Sequence, residues 1–273
     1  APIKVNADQA WPEGPEIASP CAVVMEDNTG TVLYEKNPHE KHYPASITKI
    51  LTTYLAIKNC DMDEKVVFSA DAVFKNEGDT SNISRDLYEE MTMEQTLYAV
   101  MLESANECAY AAAEHTGQKL GGDYSTFVDL MNKTAADLGC TDTHFNNANG
   151  LPDENHYTSV YDLYLIFQNA VQDQTFLDII STMSYDVVYT DVNGAGVEKT
   201  WENTNQYLTG KEKAPEGITV VGGKTGTTGA AGYCLVLYSY NASGQPIVSI
   251  VLKADGKSNL YLLMNEMLSG FAN

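Results

Sequence analysis

Three polar clusters in this sequence have residue types that could do covalent chemistry. The first is Ser46 three residues before Lys49, in Pro44-Ala45-Ser46-Ile47-Thr48-Lys49. That spacing at a helix start puts both side chains on one face. A hydroxyl becomes a nucleophile when a neighbouring base removes its proton, and a neutral amine can serve as that base. Lowering a lysine from its ordinary ~10.4 to ~7–8 corresponds to about 4 kcal/mol. Burial and a second nearby cation are the two available causes. A helix N-terminus would also favour negative charge developing on Ser46. The second cluster, Ser104-Ala105-Asn106, offers a proton-carrying hydroxyl and an amide two residues apart. The third, Gly222-Gly223-Lys224-Thr225-Gly226-Thr227-Thr228, combines glycines for close approach with a cation and hydroxyls suited to an anion. It is not a phosphate-binding P-loop. Ile218 stands where the first glycine should, and a strand rather than a helix follows.

The elements that must carry these clusters can be read from periodicity. Ala22–Met25 and Thr31–Tyr34 flank Asp27-Asn28-Thr29-Gly30 and read as a hairpin. Ile47, Ile50, Leu51 and Leu55 form one apolar helix face. Thr92 and Gln95 form a capping-box pattern ahead of Leu97, Val100 and Met101. Two further helices are marked by Phe127, Leu130, Met131 and Leu138, stopping at Gly139, and by Val160, Leu163, Ile166 and Phe167. Strands are expected at about 185–189, 218–221, 232–240 and 247–252, and a last helix over about 260–268. Sheet segments at both ends with helices between them predict an α/β protein forming a single catalytic unit over 1–273. The α/β lobe comprises about 1–69 and 186–273, and a mainly helical lobe comprises about 70–185.

Composition narrows the partners. The chain has 273 residues, 44% of them hydrophobic, and a formal net charge of -21. That negative surface repels nucleic acid and anionic lipid. Arg85 is the only arginine, so any bound anion falls mostly to lysines, hydroxyls and backbone amides. No apolar run is long enough to span a bilayer, and Ala1-Pro2-Ile3-Lys4 does not resemble a signal peptide. Cys21, Cys60, Cys108, Cys140 and Cys234 contain no CxxC pair and read as small buried hydrophobes. His39 and His42 lack a third ligand in sequence and read as surface residues. Trp11 and Trp201 read as packing residues. No metal site and no cofactor is expected.

Together and in this order, the three clusters resemble those of the active-site-serine enzymes that include penicillin-binding proteins and serine β-lactamases. The closest resemblance is to the D-alanyl-D-alanine carboxypeptidases, the low-molecular-mass penicillin-binding proteins. Tyr43-Pro44-Ala45-Ser46, His144-Phe145, Asn149-Gly150-Leu151, His156-Tyr157-Thr158 and Ala231-Gly232-Tyr233 extend it over about 22–271. The resemblance implies a β-lactamase/transpeptidase-like fold, with an antiparallel sheet flanked by helices. It implies Ser46 as the acylated nucleophile, Lys49 as its proton acceptor and Ser104 as a relay to the leaving amine. Asn106 would hold the substrate peptide. Lys224, Thr225 and Thr227 would hold its terminal carboxylate, with Gly226 in the same motif. The backbone N–H groups of Ser46 and Thr227 would form the oxyanion hole. Thr204 stands where some relatives have arginine between Asn203 and Asn205, which shifts carboxylate binding onto Lys224. The implied partners are peptidoglycan stem peptides ending in D-Ala-D-Ala and β-lactam antibiotics. The implied location is the cell envelope, outside the cytoplasm. Relatives often add a β domain and a C-terminal anchor, neither of which this sequence contains up to Asn273. A class A-like β-lactamase is the nearest alternative, but Glu154 in Pro152-Asp153-Glu154-Asn155-His156 lacks the expected glutamate–asparagine spacing. A non-catalytic muropeptide sensor is the alternative from another class. His156 is expected to fix its loop.

Overall fold

The computed structural model describes residues 19–76 and 80–272. The chain opens with β1 (Cys21–Glu26) and β2 (Thr31–Lys36), then a 3-10 turn (Ala45–Thr48) leading into α1 (Lys49–Asn59). β3 (Lys65–Val67), α2 (Ala70–Phe74), β4 (Glu90–Thr92) and α3 (Met93–Tyr98) follow, with a π-helical turn over Ala99–Glu103. Next come α4 (Asn106–Lys119), α5 (Tyr124–Asp137), α6 (Val160–Ala170) and α7 (Gln174–Ser181). The chain returns to strands in β5 (Ser184–Thr190), β6 (Gly196–Glu202), β7 (Thr219–Thr228), β8 (Gly232–Tyr240) and β9 (Pro246–Ala254), and finishes in α8 (Lys257–Phe271).

The main sheet is antiparallel in the order β2-β1-β9-β8-β7, so the two ends of the chain meet at the β1–β9 pair. Its central strands read as continuous apolar runs because both faces are covered. On β1, Cys21, Val23 and Met25 enter the larger core, while Ala22 and Val24 face the second core. β8 divides the same way: Val236 and Tyr238 face one core, Leu235 and Leu237 the other. α8 closes the second core with Leu260, Leu263, Met264 and Met267. α1 runs through the larger core, and the predicted face of Ile47, Ile50, Leu51 and Leu55 is at most 4% exposed. Residues 49–53 are buried on every side of the helix, so α1 can hold a lysine out of water at its first turn.

The capping box at Thr92 and Gln95 forms with both reciprocal bonds. Three features depart from the sequence expectations. β7 extends through Thr228, so Lys224 and Thr225 lie on the strand rather than after it. The short β3–β4 ladder is not among the expected strands, and its β4 lies within the expected helical lobe; β6, paired with β5, is likewise not among them. Strands of three residues show no period to read, and β6 is almost wholly exposed. Trp201 on β6 is buried against Tyr185, and Trp11 lies outside the described residues. Among the described residues no helix is long and apolar enough to cross a membrane.

Candidate active site

The 3-10 turn presents Ser46 half-buried, and its strain is local. Ala45 has φ +50°, a left-handed conformation unusual outside glycine, and Ser104 has φ +60°. Such residues cost about 1–3 kcal/mol each and persist where surrounding structure holds them. Two glycine backbones brace the turn. A Cβ on Gly226 would stand 3.0 Å from Ile47 N and 3.1 Å from Ser46 N, so β7 presses directly against the turn. From the other side, a Cβ on Gly150 would lie 1.8 Å from Ala45 O, and Gly150 itself has φ +89°. Gly150→Ala is therefore expected to cost roughly 2–4 kcal/mol and to displace Ser46. A thermal melt and an acylation assay check both effects.

Lys49 is fully buried at the start of α1. Its Nζ donates to Ser46 Oγ (2.8 Å), Asn106 Oδ1 (2.7 Å) and the Asn149 carbonyl (2.6 Å). Three donors meet three acceptors, so the ammonium is fully satisfied. On losing a proton, the amine gains a lone pair that needs a donor. The amide and carbonyl oxygens can only accept, whereas the Ser46 hydroxyl can donate. Deprotonation of Lys49 therefore turns the Ser46 bond around and makes the amine the hydroxyl's acceptor. Burial pushes Lys49 well below the ordinary lysine range, and the Lys224 charge pushes it further; Glu107 and Cys108 oppose the shift. Burial alone brings Lys224 down to about 7. The repulsion is mutual, so whichever ammonium loses its proton first relieves the other.

Lys224 donates to Ser104 Oγ (3.1 Å) and to the Thr225 carbonyl (2.8 Å). Ser104 owes its position to the π-helical turn, which ends at it in the left-handed conformation before α4 begins at Asn106. Residues from three distant segments thus form two hydrogen-bonded groups, Ser46 and Asn106 on Lys49 and Ser104 on Lys224, and Ser46 and Ser104 line one hollow. Thr225 and Thr204 share a hydrogen bond between their hydroxyls (2.6 Å), and Thr227 is exposed. Two hollows meet at Ser46. One of about 200 Å³ has Ser104, Thr204, Thr225, Gly226 and Thr227 in its wall; the other, about 240 Å³, has Asn106, Asn149 and Gly150. Larger grooves at Arg85–Glu107 and along β4–β5 contain none of these serines or lysines, so volume alone does not locate the chemistry.

Sequence reasoning gave no role to several residues that build the site. The Asn149 carbonyl holds Lys49, and its side-chain amide donates to Asn76 Oδ1 (2.7 Å). Glu107, next to Asn106, is buried, with Oε1 accepting from Ile83 N (2.7 Å). Thr52 ties α1 to the Ala148 carbonyl (2.7 Å). The adjacent Asn149-Gly150 pair, with its turn-forming residue types, was the one available signal.

His156 fixes its loop. Nδ1 accepts from Asn146 N (2.9 Å), which places the neutral ring's proton on Nε2, and Nε2 donates to Thr48 Oγ1 (2.8 Å). Burial lowers His156 to about 4. The unfolded chain takes up this proton near the ordinary ~6.5, so the stabilisation is complete above that pH and is lost as pH falls toward 4. The difference is roughly 3 kcal/mol. His156→Gln is expected to flatten the stability–pH curve between those limits, as measured by denaturant titration.

The expectation that His39 and His42 are both surface residues holds for His39, which is exposed and paired with Asp142. It fails for His42, whose side chain is 9% exposed. All five cysteines are free; four are buried and Cys140 is partly so.

The fold thus sets a Ser-x-x-Lys pair against a lysine-bearing edge strand, β7. Residues 7–256 match the Peptidase S11 family model, described as D-alanyl-D-alanine carboxypeptidase, and the chain belongs to that family. It is 35% identical to the D-alanyl-D-alanine carboxypeptidase DacF of Bacillus subtilis over 221 residues, covering 78% of this chain and 52% of that protein. It is 30% identical to the D-alanyl-D-alanine carboxypeptidase of Streptomyces sp. strain K15, covering 87% of this chain and 81% of that one. The crystal structure of the Streptomyces K15 DD-transpeptidase superposes with a TM-score of 0.84 at 28% identity, covering 94% of this chain and 97% of that one. The chain thus spans about half the length of its Bacillus relative, at 52%.

Proposed function

We propose that this protein is a serine D-alanyl-D-alanine carboxypeptidase that removes the terminal D-alanine from peptidoglycan stem peptides through an acyl-enzyme on Ser46. The observation that carries the reading is the contact at 2.8 Å between the Nζ of buried Lys49 and the Oγ of half-buried Ser46. Neutral Lys49 takes the Ser46 proton as Oγ attacks the carbonyl carbon of the penultimate residue. The resulting oxyanion is held by the backbone N–H groups of Ser46 and Thr227, donors of a kind worth several kcal/mol in the transition state. The C–N bond breaks, Ser104 passes a proton to the departing amine, and water later hydrolyses the ester. Lys224, Thr225 and Thr227 hold the substrate carboxylate at the end of the hollow that Thr204 also lines. Asn106 keeps Lys49 in place and orients the peptide. β-Lactams acylate Ser46 by the same route and leave slowly. The substrate places the work outside the cytoplasm, on the cell wall.

A class A-like β-lactamase needs a carboxylate to activate the deacylating water. Glu154 is exposed, and among the described residues neither hollow at Ser46 is lined by Asp or Glu. That favours the carboxypeptidase. Incubation with diacetyl-L-Lys-D-Ala-D-Ala is expected to release D-alanine. Rapid penicillin turnover without D-alanine release would support the β-lactamase reading instead.

A further inference from the structure

His42 lacks a third ligand in sequence, but the fold supplies two partners for it. Cys21 Sγ, a Glu40 carboxylate oxygen and a His42 ring nitrogen all lie within 4.8 Å of one another. Cys21 is fully buried at the start of β1, where it pairs with Leu252 of β9. One side-chain bond ties the loop that follows β2 to the start of this strand, and one backbone bond closes the loop on itself. Asn37 Nδ2 donates to the Pro20 carbonyl (2.8 Å), and Glu40 N to the Asn37 carbonyl (3.1 Å). His42 exchanges backbone hydrogen bonds with Thr158 in both directions (2.8 and 2.9 Å), which fixes its main chain beside β1.

The ring nitrogen is unusual. Nε2 lies 3.0 Å from Glu40 Oε1, yet it is buried and makes no hydrogen bond of acceptable geometry. A buried polar atom without a directed partner is costly, and a cation shared with the carboxylate would satisfy both groups. We propose that Cys21, Glu40 and His42 form a zinc site, with water as the fourth ligand. Sulfur, imidazole nitrogen and carboxylate oxygen are the donor set that suits Zn²⁺. Zinc bonds of about 2.0–2.3 Å place tetrahedral ligands about 3.2–3.8 Å apart. Glu40 Oε1 and His42 Nε2 already stand close to that spacing, 3.0 Å apart, so the closure of up to about 1.5 Å that remains is between this pair and Cys21 Sγ. On binding, the Cys21 thiol gives its proton to solvent, His42 binds as the neutral ring, and Glu40 binds as the carboxylate. Burial, and after it the Glu40 charge, push the Cys21 thiol up to about 12 while Lys253 and Lys36 pull the other way, so the thiolate forms only as the cation binds. The ion would staple the 37–42 loop to β1, and that loop leads directly through Tyr43 and Pro44 to the Ser46 turn.

Cys60, Glu64 and His115 form a similar cluster. There the Lys119 ammonium already binds Glu64 Oε1, and His115 Nε2 bonds Oε2 (2.8 Å), so both carboxylate oxygens are taken. The test loads chelator-treated protein with Zn²⁺ or Co²⁺ alone. About one equivalent should bind with release of a proton. Co²⁺ should give a thiolate charge-transfer band, and Zn²⁺ should raise the melting temperature until chelator reverses it. Cys21→Ser should abolish the band. Glu40→Gln, at a side chain half exposed to solvent, should weaken binding at least about 10-fold without changing the melt of the metal-free protein. The proposal is overturned if the wild type binds no zinc, if both variants bind as the wild type does, or if Cys60→Ser rather than Cys21→Ser removes the band.

Discussion

Replacing Lys49 by arginine lowers the acylation rate of Ser46 by about 10²–10⁴-fold at every accessible pH, the range that a positioned general base contributes. Arginine keeps the positive charge and the hydrogen-bonding capacity but does not give up its proton in a protein. If the lysine acted only as a fixed cation orienting Ser46 Oγ, arginine would preserve much of the rate. If it must become a neutral amine, arginine fails. Lys49 is buried among Ser46, Asn106 and Asn149, so the larger guanidinium could also disturb packing. Lys49→Met provides the second arm, since it is apolar and of similar length. Both variants should remain folded by melting and lose acylation to a similar extent. An arginine variant within about 10-fold of wild type would leave no need for a base.

Lys224→Ala is expected to have two separable effects. The first is a loss of about 10²-fold or more in kcat/KM for peptides ending in a free carboxylate, because a buried charge partner is removed. The second is a shift of the acid limb of acylation to higher pH. The Lys224 charge depresses Lys49, so its removal lets Lys49 hold its proton to higher pH, and the neutral amine forms later in a titration. Water entering the space left by a side chain now 1% exposed moves Lys49 the same way. Thr225→Val separates the two effects, since it removes a hydroxyl facing the substrate hollow without removing charge. It should raise KM and leave the limb in place. An acid limb unchanged in Lys224→Ala would mean that Lys224 does not tune the base.

What could be read from the sequence was what repeats locally or is fixed by residue type. The β1–β2 hairpin, the Thr92–Gln95 box and the buried face of α1 all follow from neighbours a few residues apart. The polar groups of the site were legible as types at characteristic spacings, and Ser46, Lys49, Ser104, Asn106 and Lys224 do meet in space. What joins them was not legible. The third acceptor of Lys49 is a backbone carbonyl 100 residues away, which no residue type encodes. The turn under Ser46 forms as a 3-10 segment because Gly150 and Gly226 press on it from distant segments. The left-handed Ser104 depends on a π-helical turn that apolar periodicity reads as ordinary helix. His42 was misread for the same reason: its burial comes from pairing with Thr158, far along the chain.

Ser46 is the one hydroxyl that the Lys49 amine can activate, because no other hydroxyl bonds that amine among the described residues. The most direct measurement is mass spectrometry of the protein digested after brief exposure to penicillin. A mass increase equal to the whole antibiotic is predicted on the peptide containing Ser46, and none in Ser46→Ala. An adduct on another peptide, or one that survives in Ser46→Ala, would contradict it.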